Sequence, residues 1–191
     1  MDPDNNFLNN LFGTTDSNEQ SPYFTVEQLN KLDDSPRSFS VINVNIRSYR
    51  YHIDEYLAFL QSLTLEFKVL VFTESWLNSD DSITPINCYI GYHTFREGRG
   101  GGVSVFCDQS YSSEKINRLS FVNDNMESCV VRIRHNNQSV FIIGIYRPPS
   151  GIINEFCSLL LGIINDALLK KCDIVIVGDM NINLLEVGAW Y

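Results

Sequence analysis

Six side chains could carry chemistry in this 191-residue sequence: Asn43, Asn45, Glu74, Tyr146, Asp179 and Asn181. They sit at or just beyond the carboxyl ends of four apolar runs, Phe39–Asn45, Val69–Glu74, Ser139–Ile145 and Asp173–Asp179. Polar residues suit catalysis there, because a buried strand fixes the backbone while its terminus stays open to solvent. Their types are those that phosphodiester hydrolysis needs: a cation site to neutralise developing charge, a group to hold or activate water, and donors for the non-bridging oxygens. Magnesium takes hard oxygen ligands and keeps several of its waters, so Glu74 with an Asn side-chain carbonyl makes a partial site. Asp179 could orient water or assist a leaving group, while Asn181 and Tyr146 could hydrogen-bond phosphate oxygens. Taken singly, each has a plainer reading. An Asn after a strand is a turn residue, a lone Glu is a solvated acid, and Tyr146-Arg-Pro-Pro149 is a corner set by its prolines.

Placing these residues falls to alternating strands and helices. Phe39–Asn45 and Val69–Glu74 are short, β-branched and bounded by polar residues, as buried strands are. Between them Ile53, Tyr56, Leu57, Leu60 and Leu63 recur at helical spacing, which predicts a helix over 53–65 and a parallel β-α-β unit. Two more strands are expected at Cys88–Phe95 and Gly102–Cys107, joined by the glycine-rich turn Arg96–Gly102. Glu127–Arg134 and Ser139–Ile145 read as an antiparallel hairpin through His135–Gln138. A helix over Asn154–Leu169 places Phe156, Cys157, Leu160, Ile163, Ile164, Ala167 and Leu168 on one stripe, and Asp173–Asp179 is a last apolar strand. This mixture predicts two packed mixed sheets flanked by helices, a four-layered α/β/β/α sandwich.

The chain is long enough for one domain with a sizeable core. Residues 1–38 hold seven acids against Lys31 and Arg37 and few apolar side chains, so they are read as an acidic, mostly disordered leader with a short helix near Thr25–Leu32. Residues 39–191 are the domain. A formal charge of −9 is unlike a dedicated nucleic-acid-binding module. Attraction to phosphates would fall to local pairs such as Arg96 with Arg99, whereas Arg132 and Arg134 read as a solvated strand face. Cys88, Cys107, Cys129, Cys157 and Cys172 lack C-x-x-C spacing, and four of them lie in or beside apolar runs. Neither a zinc site nor a disulfide framework is indicated. No signal-peptide pattern and no run of roughly 18 apolar residues is present, so no membrane is implicated and the default is a reducing nucleus or cytoplasm.

Five motifs in order carry a resemblance: Ile42-Asn-Val-Asn-Ile-Arg-Ser48, Phe72-Thr-Glu-Ser-Trp76, Gly98-Arg-Gly-Gly-Gly-Val103, Ile145-Tyr-Arg-Pro-Pro-Ser150 and Val177-Gly-Asp-Met-Asn-Ile-Asn183. Together they resemble the endonuclease/exonuclease/phosphatase superfamily. The glycine-rich turn and the Tyr-Arg-Pro-Pro-Ser corner are most similar to the endonuclease domains of LINE-type (non-LTR) retrotransposons. The resemblance implies a magnesium-dependent enzyme, with manganese as a substitute, that nicks DNA for a reverse transcriptase domain carried elsewhere in a full-length element. It implies that Glu74 is the principal metal carboxylate, with Asn45 beside the metal. Asn43 would organise the centre, Tyr146 would contact the scissile phosphate, and Asp179 and Asn181 would serve the water or leaving group. Members of the family continue to a Ser-Asp-His motif that these 191 residues do not contain. The expectation is therefore a fragment, incomplete at the C-terminal end, that lacks full activity and leaves a sheet edge uncovered. His52, His93 and His135 are read as ordinary packed or solvated imidazoles. Two alternatives remain beside this reading: a non-catalytic mobile-element remnant or interaction module, and a phosphatase of the same superfamily.

Overall fold

Period-two burial in the strands divides their side chains between a space shared by two sheets and two outer faces. The computed structural model describes residues 24–31, 39–98, 100–135 and 138–182. The chain forms two units, Met1–Leu32 and Asp33–Tyr191. In the first, the described part is a single helical turn, α1 (Val26–Leu29), closed by a capping box. Thr25 Oγ1 accepts from Gln28 N and Gln28 Oε1 accepts from Thr25 N, so two otherwise orphaned amides are satisfied. This turn lies within the expected Thr25–Leu32 helix. Residues 1–23 and 32–38 of the expected leader lie outside the described residues.

In the second unit, β1 (Val41–Asn45), β2 (Val69–Thr73), β3 (Tyr89–Thr94) and β4 (Val103–Asp108) form a sheet in the order β1-β2-β4-β3. β5 (Ser112–Lys115), β6 (Glu127–His135), β7 (Gln138–Tyr146) and β8 (Asp173–Asp179) form another in the order β5-β6-β7-β8. Both sheets are mixed. β1 and β2 are parallel, as are β7 and β8, and the remaining pairs are antiparallel. Val69, Val71, Val103 and Val105 meet Cys129, Val131, Ile133 and Ile142 between the sheets. On the outer face of the first sheet, α2 (Tyr49–Gln61) packs Tyr49 and Ile53 against Leu70, Phe72 and Phe106. On the outer face of the second, α3 (Ile153–Leu169) packs Phe156, Ile163 and Ala167 against Val130, Phe141, Ile143 and Ile145. The result is the expected α/β/β/α sandwich, driven by apolar stripes that would otherwise face water.

Several boundaries depart from the sequence reading, each for a local reason. α2 begins at Tyr49, because Arg47 (φ 46°) and Ser48 (φ 97°) turn the chain sharply out of β1 and Tyr49 N then donates to Ser75 O at 2.8 Å. It ends at Gln61, so Leu63 is buried beyond the helix rather than on its stripe. β5 was not expected: Ser112–Lys115 has no apolar alternation and is held by its ladder to β6. Across that ladder Glu114 accepts from Arg132 Nε at 2.7 Å and from Arg134 Nη2 at 2.8 Å, so those arginines are paired rather than simply solvated. Cys157 and Leu168, expected on the buried stripe of α3, are exposed, since each lies about 100° round the helix from the buried Phe156 and Ala167. Cys107 and Cys129 are buried, Cys88 is exposed, and all five thiols are free. Among the described residues no helix is long and apolar enough to cross a membrane.

Candidate active site

Two parallel registers bring four strand ends to one rim. Asn45 lies beside Thr73 in the β1–β2 pair, and Tyr146 lies beside Asp179 in the β7–β8 pair. Val41 packs into the space between the sheets, and the strand period points Asn43 and Asn45 the same way. Likewise Asp179 continues the inward face of Val175 and Val177, and Tyr146 that of Ile142. The open end of the inter-sheet space is therefore lined by polar side chains.

Glu74 reaches the same place by a different device. Continued alternation would point it with Leu70 and Phe72 toward α2, but its backbone is left-handed, with φ 51°. That conformation costs a non-glycine residue about 1–2 kcal/mol. It is held by Ser48 N, which donates to Glu74 O at 2.9 Å. Turned this way, the carboxylate meets the others. Asn45 Nδ2 donates to Glu74 Oε1 at 2.9 Å and to Asp179 Oδ2 at 3.0 Å, and Tyr146 OH donates to Glu74 Oε1 at 3.2 Å. Asn181 N donates to Asp179 Oδ1 at 3.1 Å, orienting that carboxylate. The Asn181 side chain itself donates to Arg147 O at 2.8 Å. Asn43 lies one inward-facing position deeper, and its buried Oδ1 has no hydrogen-bond partner among the described residues.

The neighbouring Arg147 has a structural task. Its guanidinium donates to the carbonyls of Met180 (2.7 Å), Asn181 (2.6 Å), Gly151 (2.5 Å) and Pro148 (3.3 Å). It thus ties the exit of β8 to the proline corner after β7. Its charge faces backbone carbonyls, and no described residue forms an ion pair with Glu74 or Asp179.

Burial, and then the charge of Glu74, push the Tyr146 hydroxyl up to about 12, so it remains a proton donor at neutral pH. The donor set of the rim consists of oxygens. Two carboxylates share one amide NH2, and the Asn45 Oδ1 is buried without a partner among the described residues. No group of three His, Cys, Asp or Glu side chains gathers among the described residues. Such a set fits a hard, still-hydrated divalent cation, which needs few protein carboxylates, and not a thiolate or imidazole cage.

No family model matches the chain, and no curated protein sequence matches it. Solved structures do. Truncated TDP2 from Caenorhabditis elegans superposes with a TM-score of 0.58 at 14% identity over 81% of this chain and 66% of that one. The endonuclease domain of TRAS1, a telomere-specific non-LTR retrotransposon, gives 0.54 at 14% identity, covering 78% of this chain and 61% of that one. The 3′ phosphatase NExo from Neisseria, bound to a product DNA hairpin, gives 0.52 at 14% identity over 76% and 58%. The chain has the endonuclease/exonuclease/phosphatase fold. It spans about three-fifths to two-thirds of the length of these structures.

Within that fold, the sequence-derived residues Asn45, Glu74, Tyr146 and Asp179 come together directly, Asn181 joins through its backbone, and Asn43 lies behind them. The histidines are elsewhere. His52 on α2 lies 3.8 Å from Glu55, and the His93 ring on β3 shares a hydrogen bond with Ser104 Oγ at 2.9 Å. His135 is in β6, and its side chain lies outside the described atoms. Sequence reading missed Glu127, a fully buried carboxylate that is the ladder partner of Tyr146. The signal was present: Glu127 shares the strand period of Cys129, Val131 and Ile133, all of which are buried between the sheets. Burial raises its pKa, against the opposing effects of Gly102 N–H and the Arg96 guanidinium. Arg96 donates through Nη1 to Glu127 Oε1 at 2.7 Å, and Arg99 lies outside the described residues.

Proposed function

We propose that the chain is the cation- and phosphate-binding part of a divalent-metal-dependent DNA endonuclease domain of the LINE-type retrotransposon kind. The observation that carries this reading is the Asn45 amide joined to both Glu74 and Asp179 at the rim of two sheets. Glu74 and Asn45 hold magnesium, or manganese in its place. Half a turn of the Asn45 amide exchanges Nδ2 for Oδ1 between the two carboxylates. When bound, the cation supplies positive charge for the non-bridging oxygens as negative charge builds on them.

The protein's own groups do the rest. Asp179 Oδ2 takes a proton from the attacking water, with Oδ1 anchored by Asn181 N–H; the water oxygen bonds to phosphorus as the P–O3′ bond breaks, and the proton passes on from Asp179 to the departing 3′ oxygen. Tyr146 OH, protonated at neutral pH, donates to a phosphate oxygen. Asn181 keeps one amide hydrogen on Arg147 O and offers the other to the phosphate. Asn43 sets the wall behind Asn45. Support for DNA as substrate comes from the fold shared with the TRAS1 endonuclease domain and with NExo, which holds product DNA.

A second reading has its own observation. Neither His52 nor His93 reaches the cluster, which favours a chain that binds duplex without cutting it efficiently. Supercoiled plasmid incubated with the chain and magnesium separates the two. Nicking that disappears in Glu74→Ala and Asp179→Ala supports the endonuclease. Retention of the duplex with no nicking supports the binding module. Faster turnover of soluble phosphate monoesters than of DNA would move the activity to the phosphatase class.

A further inference from the structure

Glu127 is the charged residue that the proposed chemistry does not use. Its side chain is 0% exposed, and it bonds two parts of one turn: Arg96 Nη1 at 2.7 Å and Gly102 N at 2.5 Å. The turn is packed against it closely. A Cβ at Gly101 (φ 71°) would stand 2.5 Å from Glu127 Oε1 and 2.6 Å from Arg96 Cδ, so only glycine fits. The opposite edge of the same turn holds the loop after β2. Gly102 O accepts from Ser75 N at 3.1 Å, and Gly101 O accepts from Trp76 N at 2.9 Å.

Ser75 and Trp76 directly follow Glu74, and both Glu74 (φ 51°) and Trp76 (φ 52°) are left-handed without being glycine. Such conformations persist only where their surroundings over-determine them. The linkage therefore runs from Glu127 and Arg96, through Gly101 and Gly102, to Ser75 and Trp76, and ends at the Glu74 carboxylate. A buried ion pair is on its own a poor stabiliser, since desolvation offsets much of its attraction. Its position, fastening a glycine turn beneath a strained loop, is what gives it a task.

We propose that Glu127, paired with Arg96, is a positioning residue: it clamps the glycine turn under Ser75–Trp76 and so holds Glu74 facing Asn45 and Asp179. This rests on the reading of Glu74 as a cation ligand. Groups that orient a metal ligand affect affinity by about 10–100-fold.

The test is manganese affinity by electron paramagnetic resonance on the full chain, with amide hydrogen exchange at Ser75 and Trp76 recorded without metal. Glu127→Ala and Gly101→Ala, which break the linkage at different points, are each expected to weaken manganese binding about tenfold and to speed exchange at both amides. Glu127→Gln, which keeps an acceptor for Gly102 N–H, is expected to restore part of both. If Glu127→Ala does not fold, Gly101→Ala and Glu127→Gln carry the comparison. The proposal is overturned if Glu74→Ala weakens manganese binding while the linkage variants bind as the parent does. Unchanged exchange at Ser75 and Trp76 overturns it as well. If Glu74→Ala itself binds manganese normally, the cation reading of the site fails instead, and the exchange rates alone decide the positioning role.

Discussion

Asn45→Asp perturbs the centre of the rim with almost no change in shape, replacing an NH2 by an oxygen. In the parent chain Asn45 Nδ2 donates to Glu74 Oε1 at 2.9 Å and to Asp179 Oδ2 at 3.0 Å. An ionised carboxylate there faces two others at nearly the same separation, and each pair repels by about 5–6 kcal/mol at an effective dielectric constant of about 20. The chain escapes most of this by holding a proton on one of the three carboxyls. Raising one carboxyl pKa by about two to three units costs about 3–4 kcal/mol near neutral pH. For a domain of this size that is a fall in Tm of about 10 °C.

The sign with pH follows from the direction of that shift. A carboxyl whose folded pKa is raised binds more protons folded than unfolded, so the defect is absent below the ordinary carboxylate range and grows as pH rises towards the folded pKa. A cation between the carboxylates removes the cause, and about a hundredfold excess over its Kd stabilises by about 2.7 kcal/mol. Thermal unfolding by circular dichroism, in chelator or in excess magnesium and at acid and neutral pH, measures all three effects. The reasoning is refuted if Asn45→Asp melts with the parent in chelator at neutral pH, or if magnesium raises the parent's Tm more than the variant's.

Two further outcomes follow from other parts of the molecule. Gly178 has φ 154°, and a Cβ there would stand 1.8 Å from Ile145 O, so Gly178→Ala should part the β7–β8 ladder beside Asp179 and cost about 3 kcal/mol or more in urea unfolding. His93 is held near a pKa of about 4 by burial and then by the charge of Lys115. Because that value is depressed, the folded chain binds fewer protons, and stability present above the ordinary histidine range is lost as pH falls towards 4. The parent should lose up to about 3 kcal/mol more than His93→Gln over that interval, and parallel stability–pH curves would contradict the assignment.

The layers were legible in the sequence because burial writes its own period. Val69–Phe72 is apolar throughout and is buried on both faces, and the stripe of Tyr56, Leu57 and Leu60 continues the face that Ile53 buries against the sheet. β5 was illegible because Ser-Ser-Glu-Lys has no such pattern and is a strand only through β6 and its arginines. Helix starts were misplaced where the determinant is remote: the first amide of α2 is satisfied by Ser75 O, 26 residues later in the chain. Within the site, alternation was enough to aim Asn45, Tyr146 and Asp179 inward. For Glu74 the same rule points the wrong way, and nothing in Phe72-Thr-Glu-Ser-Trp76 announces a left-handed backbone, since glycine is absent. Glu127 was overlooked for the opposite reason. Its period was correct, but a charge at a buried position is intelligible only once Arg96 and Gly102 stand beside it.

Several of the places where local rules fail lie together, although Cys88 and Lys171, also left-handed, do not. Glu74, Trp76 and Asn181 are left-handed without glycine, Asn43 and Asn45 leave buried carbonyl oxygens without partners among the described residues, and two carboxylates share one amide. All lie at or around the rim where β1, β2, β7 and β8 end. Each distortion is fixed by a different neighbour: Glu74 O by Ser48 N, Trp76 N by Gly101 O, and the Asn181 amide by Arg147 O. A backbone restrained from several directions is rigid, so a ligand would meet a preformed rim in which the Asn45 amide has only to turn. A cation binding there would order little of the chain, and its free energy would go into affinity rather than into assembling the site.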